Sequence, residues 1–168
     1  RIAGQAQRVD FPELLKLVNN ISGNFWIRFT SPHPKDFSDE LIAAVAQSEK
    51  VAEYINLPVQ SGDDQILKKM NRPYTVKHYK NLVEKIRKKI PDVCLSTDVI
   101  VGFPGETKKQ FKNTLKLFKE VEFDMAYIAQ YSERAGTAAS KLKDNISHQE
   151  KKRRERVKRK ERRVKSKM

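Results

Sequence analysis

The 168 residues hold 38% apolar and 33% charged side chains, enough chain for one domain with a real core beneath a heavily charged surface. A single cysteine, Cys94, excludes an internal disulfide or a multi-cysteine metal site within this chain. No apolar run approaches the ~20 residues that span a bilayer, and the opening residues lack the apolar centre of a signal peptide, so a cytoplasmic protein without a membrane partner is expected. Position 1 is Arg, not Met, and a longer reading frame is expected around this chain. Of the net charge of +14, residues 151–168 carry +10, from twelve basic and two acidic side chains. A polyanion is the natural partner of such a tail.

In chain order, Phe11 to Ile21 has a helical apolar stripe. Phe25 to Thr30 (FWIRFT) is short, aromatic and β-branched and predicts a strand, stopped by Pro32 and Pro34. Ser38 can cap a helix running to about Glu49. Tyr54 to Val59 predicts a second strand. Asp63 begins a short helix through Met70, and Thr75 to Ile90 is a clear amphipathic helix stopped by Pro91. Val93 to Phe103 contains a third strand, where Cys94 reads as a small buried residue. Thr107 and Gln110 form a capping box for the helix 107–121. Met125 to Tyr131 is a fourth strand whose inward face the pattern leaves ambiguous. Ser147 and Glu150 form another capping box ahead of a helix-compatible tail. That tail has almost no apolar stripe, so it reads as a solvated extension or an arm that orders on a partner.

Strands alternating with long helices imply βαβ units and a parallel sheet, with the domain proper over residues 1–145 and the basic tail over 146–168. Parallel α/β folds place their sites at the C-terminal ends of the strands. Four polar segments bearing proline or glycine fall there: 30–34, 58–63, 96–107 and 131–137. Turn chemistry alone accounts for Pro and Gly at any one of them. His33, between two prolines, reads as a surface loop residue, and Glu106 as an acid favouring a helix N-terminus. Asp98 is harder to dismiss, because a carboxylate within an apolar strand needs a partner or a function. Gln60, at a strand end, has the same character more weakly. No triad, HExxH motif or Walker loop is present.

At these segments the chain resembles the radical S-adenosylmethionine (SAM) methylthiotransferases. The stretches that carry the resemblance are INLPVQSGDDQILKKMNRPYT (55–75), STDVIVGFPGET (96–107) and YSERAGTAA (131–139). In the last of these, Glu133, Ala135 and Ala138 stand where the family has prolines. IRFTSPHPKDFSDELI (27–42) is similar to the branch that acts on tRNA adenosine next to the anticodon. The resemblance implies an α/β fold: about four βα units from the C-terminal part of a partial (β/α)6 barrel, followed by a basic helical tail leading toward an RNA-binding domain. It implies an enzyme that inserts a methylthio group at C2 of N6-isopentenyladenosine in tRNA, using SAM and [4Fe–4S] clusters whose ligands would lie upstream of this chain. Sister groups act on threonylcarbamoyl-adenosine in tRNA or on a ribosomal protein, and a non-catalytic RNA-binding remnant is the alternative from outside catalysis. tRNA is the implied substrate, with a sulfur donor or iron–sulfur assembly proteins as further partners. By the resemblance Gln60, with Ser61 beside it, and Asp98 would hydrogen-bond the ribose or carboxylate of SAM, and Arg72 would pair with the carboxylate. Gly102 would let the backbone approach the nucleoside. Ser31 and Tyr131 would lie near the methionine and adenine ends.

Overall fold

The computed structural model describes residues 9–30 and 32–165, with side chains through Arg156. Helices α1 (Phe11–Asn19) and α2 (Asp39–Gln47) precede strand β1 (Tyr54–Asn56). Helices α3 (Asp64–Lys69) and α4 (Val76–Lys89) lead to β2 (Cys94–Val101), and α5 (Lys108–Val121) leads to β3 (Met125–Gln130). A 3₁₀ turn (Ala138–Lys141) then precedes α6 (His148–Lys165). The helix starts are fixed by side chains that accept orphan backbone N–H groups: Asp10, Ser38, Asp63, Thr75 and Thr107, the last in a complete capping box with Gln110. No helix among the described residues is long and apolar enough to cross a membrane.

The strands form a parallel sheet in the order β1-β2-β3, as expected of an α/β fold. On β2, Leu95, Thr97, Val99 and Val101 are buried on one face against Tyr79, Leu82, Val83 and Ile86 of α4 and Phe111, Leu117 and Val121 of α5. Each fully buried aliphatic or aromatic side chain contributes about 1.5–3 kcal/mol. Ser96, Asp98 and Ile100 point to the other face. The register pairs them with Met125, Tyr127 and Ala129, which settles the orientation that β3's pattern left open. Tyr54 and Asn56 of β1 join this second face through their pairing with Cys94 and Ser96. It is polar, and its Tyr127 is 50% exposed.

Three expectations need correction. Phe25–Thr30 is not a strand; it makes a single parallel bridge, Ile27 to Val51, with two backbone hydrogen bonds. Composition favours a strand there, but a ladder needs a partner along its whole length, and Trp26 is left 75% exposed. The second strand stops at Asn56 rather than Val59, because the chain slips by one residue there: the Val59 N–H turns to Thr97 Oγ1, and Gln60 instead donates to the Asp98 carbonyl. The chain rejoins β2 at Gln60, bridged to Val99. Cys94 is half-buried rather than buried, and burial pushes its thiol pKa up.

Across the Pro58 interruption a side chain replaces the ladder. Thr97 Oγ1 accepts from the Val59 N–H at 3.0 Å and donates to the Leu57 carbonyl at 2.8 Å, and the Tyr79 hydroxyl donates to the same carbonyl at 2.7 Å. Thr97→Val would leave the Val59 N–H buried and unpaired, at a cost of about 1–3 kcal/mol. Urea unfolding is expected to show that loss with an unchanged m-value.

Candidate functional site

At the C-terminal ends of the strands lies a cavity of about 590 Å³, lined by Gln60, Arg72, Ile100, Phe103 and Tyr131, with Lys69 and Arg134 among its other walls. Gln60 reaches it through the kink after Pro58 and takes a left-handed backbone conformation, φ +67°. A non-glycine residue there costs about 1–3 kcal/mol and persists only where its surroundings impose it. Here the Gln60 N–H donates to the Asp98 carbonyl (2.9 Å) and its carbonyl accepts from the Ile100 N–H (3.0 Å). Just beyond, a Cβ on Gly62 would lie 2.5 Å from the Thr114 Cα, so only glycine lets this loop lie on α5. Asp63 caps α3 and accepts from Gln110 and Asn113 of α5, which anchors the loop from its far side.

Arg72 follows α3 after a left-handed Asn71, φ +55°, and its N–H bonds back to the Leu67 carbonyl. The Tyr74 hydroxyl donates to the carbonyls of Pro58 and Val59 and so ties the Arg72 segment to the Gln60 segment. Burial pushes the Tyr74 pKa up to about 12, against the lowering effect of nearby Arg72, so Tyr74 remains a donor throughout the neutral range. The Arg72 Nε is buried with no hydrogen-bond partner. A buried unpaired donor is costly, and an anion arriving in the cavity would satisfy it. An amino-acid carboxylate, with a nucleoside against Gln60, Phe103 and Tyr131, fits these residues. An iron–sulfur cluster does not. Among the described residues no three His, Cys, Asp or Glu gather to hold a metal ion, and the chain has one cysteine.

The structure brings together Gln60, Arg72 and Tyr131 and sets Asp98, Ser61 and Gly102 apart. Asp98 lies one step down the polar face and lines two adjoining hollows with Tyr127. Ile100 and Ala129 line both the first of these hollows and the rim cavity. Its carboxylate accepts from Asn56 Nδ2 at 3.0 Å, and the Asn56 carbonyl accepts from Ser96 Oγ, which also meets the Tyr54 hydroxyl. The Arg28 guanidinium lies 4.6 Å above the Tyr54 ring. Ser61 is fully buried, and its hydroxyl accepts from the Asp63 N–H as part of the turn rather than facing the cavity. Ser31 lies outside the described residues.

Gly102, φ +71°, is approached not by open space but by α6: a Cβ there would lie 2.4 Å from Lys151 Cγ. Glu106, expected as a favourable charge at a helix start, is buried. It accepts from the Gly102 N–H at 2.8 Å and from Arg154 at 2.6 Å. Lys151 donates to the Tyr131 carbonyl and pairs with Asp144. Glu106, Lys151 and Arg154 are the charged residues found buried among the described ones, and they share this corner. The first turns of the tail helix are therefore docked by ion pairs, not solvated. Sequence reading missed Asn56, Lys151 and Arg154. Asn56 carried a signal, a polar residue between Ile55 and Leu57, whereas Lys151 and Arg154 are indistinguishable from the ten other cations of the tail.

A family model described as the Radical SAM superfamily matches residues 6–118. The tRNA-2-methylthio-N(6)-dimethylallyladenosine synthase of Clostridium botulinum (strain Hall) is 56% identical over 138 residues, which cover 82% of this chain and 31% of that protein. The protein of the same name from Acetivibrio thermocellus is 52% identical over 144 residues, covering 86% of this chain and 30% of its own length. The chain thus spans about a third of the length of the curated relatives it matches. Among solved structures, coproporphyrinogen III oxidase from Escherichia coli, described as a radical SAM enzyme, aligns with a TM-score of 0.65. That alignment has 20% identity over 76% of this chain and 30% of that one, which is a likeness of fold.

Removing one partner of a buried ion pair costs about 3–5 kcal/mol, because the other charge stays buried. Arg154→Met is expected to lose that much by denaturant unfolding. The double variant Arg154→Met/Glu106→Gln should lose less, since the amide keeps an acceptor for Gly102 without an unpaired charge.

Proposed function

This chain belongs to the radical SAM superfamily, and on that premise we propose that it is part of a tRNA methylthiotransferase. In this reading the protein adds a methylthio group at C2 of N6-isopentenyladenosine beside the anticodon. The observation that carries the proposal is 56% identity over 138 residues to a protein named as a tRNA-2-methylthio-N(6)-dimethylallyladenosine synthase. Residues 1–145 would contribute one part of the barrel, and 146–168 would lead toward an RNA-binding domain. The setting would be the cytoplasm. A sulfur donor or iron–sulfur assembly proteins would be further partners, and the [4Fe–4S] ligands would come from outside this chain.

SAM, when bound with its cluster, supplies the radical chemistry that side chains cannot. What this chain contributes is orientation and shelter. Arg72 would pair with the SAM carboxylate and satisfy its orphaned Nε. Gln60, held by two backbone bonds to β2, would offer its amide to the ribose or carboxylate. The Phe103 ring, packed edge-on to Tyr131 with centroids 5.1 Å apart, would close the apolar side of the nucleoside site against water. Asp98, aligned by Asn56, would accept from a hydroxyl of the ligand or from the substrate nucleoside on the polar face. Ser61 and Gly102 would act through the shape of their turns, and Ser31 remains a candidate contact by resemblance alone. A target base must be splayed from its loop to reach such a site, as loop bases in RNA are.

The test uses the protein expressed from its complete reading frame, with clusters reconstituted, in cells lacking their own methylthio-adenosine activity. tRNA hydrolysates are expected to contain methylthio-isopentenyladenosine. Another methylthio product in tRNA or ribosomal protein would move the assignment to a sister group, and tight RNA binding with no such product would favour a binding remnant. A charge-assisted contact is worth about 1.5–3 kcal/mol, so Arg72→Gln should weaken SAM binding by roughly 10- to 150-fold. Thermal unfolding should be nearly unchanged.

A further inference from the structure

The rim cavity carries more positive charge than one cofactor carboxylate can use. Lys69, Arg72 and Arg134 line it, and no Asp or Glu does. Composition does not explain this, because outside residues 151–168 the chain has 23 basic and 19 acidic residues, close to balance. Elsewhere on the surface cations find acids: Lys80 with Glu120, Lys85 with Asp39, Arg153 with Glu150. Lys69, Arg72 and Arg134 make no ion pair among the described residues. Gathering three like charges around one hollow is unfavourable unless anions occupy it.

We propose that Lys69 and Arg134 form a subsite for a phosphodiester of a single-stranded nucleic acid, beside the position that Arg72 holds for a carboxylate. The proposal rests on the methylthiotransferase reading, in which one carboxylate takes the charge of Arg72 and leaves two cations unmatched. The geometry suits a backbone phosphate. Lys69 stands in the last turn of α3, and its Nζ lies 3.3 Å from where a Gly105 Cβ would be, over the loop after β2. The Gly105 N–H is already taken by Asn145 Oδ1 at 2.9 Å, so the ammonium is the donor offered there. On the same cavity, the Arg134 carbonyl accepts from the Thr137 hydroxyl at 2.9 Å, which fixes the turn that carries this side chain. A Cβ on Gly136 would meet nothing within 4 Å, so the approach on that side is open. The basic helix α6 starts at the same rim, since Lys151 reaches the Tyr131 carbonyl. A strand entering the rim could thus continue along α6. Long, mobile cations contact phosphates and position the chain, while base recognition falls to other groups.

The experiment compares the complete reconstituted protein with its Lys69→Gln/Arg134→Gln variant, both exposed positions that folding does not need. The probes are an anticodon stem-loop RNA across a salt series, SAM, and inorganic phosphate. Two lost contacts to single-stranded phosphates should flatten the slope of log K against log salt by about 1.4 and weaken RNA binding roughly tenfold, with the SAM affinity unchanged. Lys80→Gln/Lys85→Gln, whose cations already face acids, should leave the slope in place. An unaltered slope and RNA affinity would overturn the subsite. So would a matching fall in SAM affinity, which would assign these cations to the cofactor, or a loss confined to free phosphate. If the complete protein leaves no methylthio-adenosine in tRNA, the parent reading fails independently of this result.

Discussion

The central strand β2 is hydrogen-bonded in parallel on both sides, and that pairing imposes a strict alternation on Cys94 to Val101. A shift of one residue would turn Ser96 and Asp98 into the helix-covered core and put Leu95, Val99 and Val101 on the polar face. Burying a carboxylate without partners costs far more than any local gain from such a slip. The register therefore follows from the same residues that make the site. Once it is set, Tyr54, Asn56, Met125, Tyr127 and Ala129 have no choice but to share the face of Asp98.

The rim depends on one departure from that regularity. The β1 ladder ends before Pro58, Thr97 and Tyr79 substitute side-chain hydrogen bonds for it, and the chain re-enters at Gln60 with φ +67°. A regular strand would have set residue 60 opposite Ile100; the kink sets it opposite Val99 and carries the following Ser61–Gly62–Asp63 turn onto α5. Ser61 is thereby spent on the turn. A hydroxyl next to a site residue in sequence becomes, two bonds further round the backbone, part of the wall behind it.

Much of this was legible beforehand. Helices begin where Ser38, Asp63, Thr75 and Thr107 offer a side-chain acceptor, a local effect that local sequence encodes. β2 and β3 are legible because their period and bounding turns agree. Phe25–Thr30 was misread because pairing is a property of two segments, and FWIRFT shows only one of them. Gln60, Arg72 and Tyr131 line one cavity. The separation of Asp98 by one step along β2 depends on register, which the pattern of β3 alone did not fix. Gly102 was expected to make room, and it does, but the occupant is Lys151, almost fifty residues later in the chain.

That occupant changes what the basic tail is. A helix with scarcely an apolar stripe should not dock, since little hydrophobic area is available to offset its ordering. Here α6 docks through charge. Arg154, with side-chain exposure of 4%, meets Glu106 at 1%, and its guanidinium lies 5.4 Å from the Phe111 ring centre. Lys151 meets Asp144 and the Tyr131 carbonyl. Buried pairs gain little net stability over apolar packing, but they are unforgiving of misplacement. They fix α6 against the Gly102–Glu106 loop in one register, and Gly102 admits Lys151 only because it lacks a Cβ. The cavity and the tail helix thus meet at one corner of the fold. The loop after β2 borders the cavity, the same loop grips the helix, and among the described side chains the helix presents the cations Lys152, Arg153 and Arg156 to solvent. A polyanion drawn to those cations arrives at a surface already registered to the cavity mouth, with no further ordering of α6 needed to bring the two together.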